Sequence, residues 1–209
     1  MGKPATVDTN PNPVLTAPKN IKPNKKANHG NENENRSVNV GCWNIRRGLV
    51  IREQELREII KVCSLDLVFL TETDTTSVNG ENDYVIPGFK TLVQKKKDAS
   101  LPTRIIGLVS EKLKNMVTIR MDLASTDFPS LWVEIENTAG RNFICGGFYR
   151  EWTPGGERTT TAQIEAIKCF TYQIERAAAE NKTVVIVGDA NLCSESWNSP
   201  TSEIQRKKA

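Results

Sequence analysis

The spacing of apolar residues changes character along the chain and marks out elements of alternating type. "SVNVGCW" (37–43) alternates apolar with small or polar residues and predicts a strand. "IREQELREIIKVC" (51–63) then sets Leu56, Ile59, Ile60 and Cys63 at helical spacing, one apolar face of an amphipathic helix. "LDLVFL" (65–70) is an apolar run of strand length. Strand, helix and strand in this order predict a β-α-β unit whose two strands are parallel and adjacent. Farther on, "RIIGLVS" (104–110), "MVTIRM" (116–121), "LWVEIE" (131–136) and "NFICGGFY" (142–149) follow one another through short polar links such as "NTAG", the pattern of an antiparallel meander. "EWTPGGER" (151–158) breaks the pattern as a loop. "TTAQIEAIKCFTYQIERAAAE" (160–180) predicts a long helix with Ile164, Ile167, Phe170, Ile174 and Ala177 or Ala178 facing the core. "TVVIVGD" (183–189) predicts a last buried strand, and no internal repeat is visible.

Composition separates this patterned region from its flanks. Residues 1 to 37 contain five of the ten prolines with many Asn and Lys, too little apolar surface to offset the entropy of ordering. They are expected to form a disordered leader, an ordinary solvated segment or an electrostatic arm toward nucleic acid through Lys19 to Lys26. Residues 196–209 read as a polar tail, which leaves residues 38–195 as the one folded domain. Of 28 basic and 25 acidic residues, six and three fall within the first forty, leaving 22 of each in the rest. The net charge of +3 therefore belongs to the leader, and charge alone makes no argument for nucleic-acid binding.

The five cysteines, Cys42, Cys63, Cys145, Cys169 and Cys193, have no CxxC spacing, and the sequence has one histidine. A Cys/His zinc site is therefore not expected, and the thiols read as reduced core-fillers of an intracellular protein. No run of 18 apolar residues offers a membrane span and no apolar stretch follows the start as a secretory signal, so no membrane partner is expected. "MGKPAT" fits the N-myristoylation pattern through Gly2 and Thr6, but a single acyl chain without a second signal anchors only weakly.

Candidate chemistry lies at the ends of the strands. "VNVGCWN" ends at Asn44, "DLVFLTE" at Glu72 and "VVIVGDAN" at Asp189 and Asn191. In a sheet flanked by helices, ligands gather beyond the carboxyl ends of the strands, so these four side chains are expected to share one mouth. In extended backbone Asp189 and Asn191 would point the same way. Each also has a plain structural reading: a turn residue for Asn44, a solvated loop acid for Glu72, a helix cap for Asp189. No GxxxxGK[ST] or GxGxxG loop is present to cradle a nucleotide.

Together "CWNIRRGL", "LVFLTETD", "RIIGLVSEKL", "GGFYREW" and "VVIVGDANL" occur in the order seen in the endonuclease/exonuclease/phosphatase superfamily. The chain most resembles the endonuclease domain of non-LTR retrotransposons, over about residues 38 to 195. "GDAN" resembles the family's Gly-Asp-x-Asn motif, "LTET" the motif that supplies a metal-binding Glu, and "WN" the first active-site strand end. The resemblance implies an α/β fold, a four-layer sandwich of two packed, mainly antiparallel sheets flanked by helices. It implies that Glu72, with Asn44 in the metal or phosphate shell, holds Mg²⁺ or Mn²⁺. Tyr149 would contact the scissile phosphate, Asp189 would orient or deprotonate the attacking water, and Asn191 would hold the phosphate or align Asp189. Arg150 would add a bidentate phosphate contact. The substrate implied is DNA, with a reverse transcriptase possible in a longer polyprotein.

The match has gaps. The family carries a Ser-Asp-His motif beyond the Gly-Asp-x-Asn strand, whereas the one histidine here is His29 in the leader. Arg46 stands where some relatives have an Asp. The last strands of the fold are expected to be missing, leaving an uncovered strand edge and an inactive or weak hydrolase. The remaining readings are a non-catalytic relic that binds nucleic acid or protein, and a phosphatase acting on inositol phosphates or lipid phosphodiesters. Trp43 and Trp152 read as packing residues, and Tyr149 and Arg150 also have structural readings, a strand cap and a partner for Glu151.

Overall fold

The computed structural model describes residues 37–46, 49–75, 84–94, 96–98, 101–136, 142–151 and 160–191. The expected leader up to residue 36, the polar tail, Gly2 and Thr6, Cys193, Trp152 and Trp197 lie outside the described residues. The chain runs β1 (Val40–Asn44), α1 (Leu49–Val62), β2 (Leu67–Thr75), β3 (Phe89–Val93), β4 (Thr103–Ser110), β5 (Val117–Ile119), β6 (Ser130–Ile135), β7 (Phe143–Tyr149), α2 (Thr160–Ala178) and β8 (Thr183–Asp189).

The strands form two four-stranded sheets, β1-β2-β4-β3 and β5-β6-β7-β8. Each contains one parallel pair produced by a helical crossover, β1 with β2 through α1 and β7 with β8 through α2. The remaining pairs are antiparallel. The expected β-α-β unit is thus present. The expected meander is divided: β5, β6 and β7 follow it, while β4 inserts between β2 and β3 in the other sheet. Strand β3 was not legible, because a five-residue segment with Lys90 and Thr91 adjacent inside it gives no clear period.

Side-chain alternation assigns the layers. Leu67 and Phe69 of β2 point between the sheets and meet Ile105, Leu131, Val133, Ile135 and Cys145. The alternate residues Val68 and Leu70 face outward with Ile106 and Leu108 and are covered by Leu56 and Ile60 of α1. On the far side Trp132 and Ile144 are covered by Phe170, Ile174 and Ala177 of α2. Helix, sheet, sheet and helix therefore stack in four layers with an apolar core between the sheets. Gly147 lets the sheets close, since a Cβ there would lie 2.1 Å from Phe69 Cδ1.

Three expectations about burial need correction. Cys63 and Cys42 are exposed, and among the described cysteines Cys145 alone is buried, its thiol pushed up to about 12 by desolvation. Ile164 and Ile167 are 47% and 45% exposed, because the first half of α2 extends past the surface that Phe170 and Ala177 cover. Strand β8 is a sheet edge rather than a buried strand, with Ile186 exposed and Val185 and Val187 only half-buried. No helix of the described residues is long and apolar enough to cross a membrane.

Candidate active site

The two parallel pairs put four strand ends side by side. Asn44 is paired with Thr71, so Glu72 lies one residue beyond the tip of β1, and Tyr149 is paired with Asp189. Packing of the sheets brings these two tips together: Asn44 Nδ2 donates to Glu72 Oε1 at 2.9 Å and to Asp189 Oδ2 at 2.6 Å. Tyr149 OH donates to the same Glu72 Oε1 at 3.1 Å. A carboxylate from each sheet is thus held on one amide nitrogen.

Local backbone aims each group. Glu72 has φ +54° and sits where the β2–β4 register shifts between Thr71 and Thr75. A bulge of this kind turns a side chain out of the strand's alternation, here toward Asn44 while Thr71 and Thr73 stay buried. Tyr84 OH donating to Thr73 O and Thr73 Oγ1 donating to Thr103 O, both at 2.6 Å, fix the irregular stretch. After β1, Arg46 takes φ +48° and its amide donates to Asn44 Oδ1 at 3.0 Å. That bond fixes the carboxamide with its nitrogen toward the acids.

After β8 the chain turns as well. Asn191 has φ +47°, a region Asn tolerates better than most residues. Its backbone amide donates to Asp189 Oδ1 at 2.9 Å, leaving Oδ2 for Asn44. The period-two expectation for Asp189 and Asn191 therefore fails, because extended backbone ends at Asp189. Asn191 Nδ2 instead donates to Arg150 O at 2.6 Å, and the side chain also reaches the Tyr149 phenol. The phenol is held above its usual pKa, first by burial and then by the Glu72 carboxylate, with Arg104 acting in the opposite direction.

Arg150 is engaged within the protein: Nη1 donates to Ala190 O at 3.2 Å and Nη2 to Gln163 Oε1 at 2.9 Å. Glu151 pairs with Arg104, whose Nε lies 2.7 Å from Glu151 Oε1 and whose guanidinium stands 5.1 Å from the centre of the Tyr149 ring. Arg104 and Gln163 were missed from sequence. Arg104 opens an apolar run, and only the β2–β4 pairing, Thr71 with Ile105 and Thr75 with Thr103, places it beside the irregular stretch that holds Glu72. Trp43 is half-buried against the α1 cluster with Arg52 over its ring, as expected of a packing residue.

Two carboxylates, a carboxamide and a phenol converge at the meeting of the tips. The family model for the endonuclease/exonuclease/phosphatase family matches residues 41–209. The chain belongs to the endonuclease/exonuclease/phosphatase family. No curated protein sequence matches it significantly. Among solved structures, it is similar to the endonuclease domain of TRAS1, a telomere-specific non-LTR retrotransposon, at 16% identity and TM-score 0.52, covering 82% of this chain and 68% of that one. The AP endonuclease LMAP from Leishmania major gives TM-score 0.61 at 12% identity over 78% of this chain and 59% of that one. The mannosyl-6-phosphatase Bt3783 from Bacteroides thetaiotaomicron gives 0.53 at 12% identity, over 80% and 71%. Likeness at these identities establishes the shared α/β sandwich.

Within the family fold, the donor chemistry suits a hard divalent cation. Among the described residues no three His, Cys, Asp or Glu side chains gather as a metal-holding group. Magnesium, however, commonly binds through one or two carboxylates and keeps several waters. Glu72 supplies one such carboxylate, and Asn44 lies beside it as a neighbouring carboxamide.

Proposed function

We propose that this domain is a divalent-metal-dependent phosphodiester hydrolase acting on DNA, of the kind borne by retrotransposon proteins. The observation that carries the reading is the Asn44 amide bonded to Glu72 and Asp189 at once, across the two sheets. Glu72 is the residue that would hold Mg²⁺ or Mn²⁺, with Asn44 beside it. A bound cation supplies positive charge to the oxyanion that develops on phosphorus.

The protein's own groups supply the rest. Asp189 orients the attacking water and accepts its proton at Oδ2, while Oδ1 stays tied to the Asn191 amide. Tyr149 offers its hydroxyl, now on Glu72, to a non-bridging phosphate oxygen. Asn191 keeps Asp189 aligned and lies beside Tyr149. The one histidine of the sequence, His29, lies outside the described residues.

Support for DNA as substrate comes from the order of the motifs and from nuclease relatives among the similar structures. A reverse transcriptase on the same polyprotein belongs to the same reading. The test is nicking of supercoiled plasmid in Mg²⁺ or Mn²⁺, with Glu72→Gln and Asp189→Asn as controls. Metal-dependent nicking lost in both variants is expected. Metal and DNA binding without any nicking would favour a domain that binds without cutting, and nicking retained in Asp189→Asn would overturn the assignment of the base.

A further inference from the structure

Residue 150 is joined to the turn after β8 by three hydrogen bonds. Arg150 N donates to Asp189 O at 2.8 Å, Arg150 Nη1 donates to Ala190 O at 3.2 Å, and Asn191 Nδ2 donates to Arg150 O at 2.6 Å. A fourth bond, from Nη2 to Gln163 Oε1 at 2.9 Å, ties the same guanidinium to the first turns of α2. The turn it grips is the one that sets Asp189, because the Asn191 amide holds Asp189 Oδ1. The left-handed backbone of Asn191 is a conformation that needs outside support to persist.

We propose that Arg150, held by Gln163, is a positioning residue that clamps the Asp189–Asn191 turn and so fixes which carboxylate oxygen of Asp189 is left to act. The proposal rests on the reading of Asp189 as the group that acts on the attacking water. A planar fork suits the task, since its donors diverge in fixed directions toward a backbone carbonyl and a side-chain amide. A lysine at this position has no rigid fork and serves one partner well. A direct phosphate contact by Arg150 would draw on the same guanidinium that holds Ala190 and Gln163.

Gln163 is half-buried at the surface of α2, so its substitution leaves the core untouched. Arg150→Met, Arg150→Lys, Gln163→Ala and Gln163→Glu in the full chain form the test set. The primary readout is solvent exchange of the Asn191 backbone amide by NMR, with a thermal melt to establish folding. Exchange is expected to rise about tenfold in Arg150→Met and Gln163→Ala, the loss of roughly one hydrogen bond's protection. It is expected to stay near wild type in Gln163→Glu, which keeps an acceptor for Nη2. Unchanged exchange in a folded Gln163→Ala or Arg150→Met protein would overturn the clamp.

Nicking kinetics separate positioning from phosphate binding. A clamp lowers kcat, by about tenfold to a hundredfold for misplacement on the ångström scale, and leaves KM and its salt dependence unchanged. A higher KM with unchanged kcat in Arg150→Met, restored by Arg150→Lys, would assign Arg150 to the phosphate and overturn the proposal. If the wild-type protein nicks no DNA under any metal, the hydrolase reading fails, while the exchange measurement still decides whether the clamp exists.

Discussion

Replacing Asn44 by alanine removes the nitrogen that lies 2.9 Å from Glu72 Oε1 and 2.6 Å from Asp189 Oδ2. A hydrogen bond to a charged group contributes about 1.5–3 kcal/mol, so two of them set an upper limit of ~6 kcal/mol. Several features reduce that figure. Glu72 and Asp189 are half-buried, so water can take the place of the lost donor. Glu72 keeps the Tyr149 hydroxyl, and Asp189 keeps the Asn191 amide. The expected destabilisation is therefore about 2 kcal/mol in metal-free buffer at neutral pH, a fall in Tm of roughly 4–8 °C for a domain of this size. Urea unfolding measures it, with an unchanged m value as the sign that the fold is retained. A cycle with Asp189→Asn isolates the pair, and a coupling of about 1 kcal/mol is expected for residues in direct contact. Destabilisation below about 0.5 kcal/mol, the level of an ordinary surface substitution, would refute the idea that Asn44 bridges the two sheets.

Two further outcomes follow from features away from the site. Arg120 Nη1 lies 2.8 Å from Glu134 Oε2 and 2.9 Å from Glu180 Oε2, and Nη2 lies 2.7 Å from Asp122 Oδ2. Arg120→Met should cost about 2 kcal/mol at pH 7, less than a fully buried pair because water and Lys182 still reach the acids. Hydrogen bonding to Arg120 holds Glu180 and Asp122 down to about 2 from ordinary values of 4.5 and 3.8. Their stabilisation is thus complete above about pH 5 and is lost as the pH falls toward about 2. The gap between wild type and variant should narrow over that window in acid-denaturation curves, and a constant gap would contradict the assignment. Gly147→Ala should destabilise by about 3 kcal/mol or more through overpacking against Phe69. Phe69→Leu in the same chain should recover part of the loss, and strictly additive effects would mean the two sites do not touch.

How much was legible in the sequence follows from which interactions are local. The β-α-β unit was readable because Leu56 and Ile60 recur at helical spacing between two strand-length apolar runs. The strand ends were readable because Asn44, Glu72 and Asp189 each stand at most one residue beyond an apolar run. What covers a strand or a helix face was not readable. Ile164 and Ile167 have the same periodicity as Phe170 and Ile174, yet only the latter find β6 and β7 beneath them. The division of the meander was hidden because β4 and β6 carry equally apolar patterns, and pairing partners are fixed by the whole fold. Gln163 and Arg104 were hidden for a similar reason, since their partners lie 13 and 47 residues away in sequence, at Arg150 and Glu151. Asn191 was misdirected by assuming extended backbone where a left-handed residue turns the chain.

The claim beneath all of this is that the tips of both sheets line one oxygen-rich site. Paramagnetic broadening by Mn²⁺ tests it most directly, because the ion quenches NMR signals of whatever surrounds it. Substoichiometric Mn²⁺ is expected to broaden Asn44 and Glu72 of one sheet together with Tyr149 and Asn191 of the other, with the effect lost in Glu72→Gln. Broadening confined to one sheet, or persisting unchanged in Glu72→Gln, would contradict a shared site.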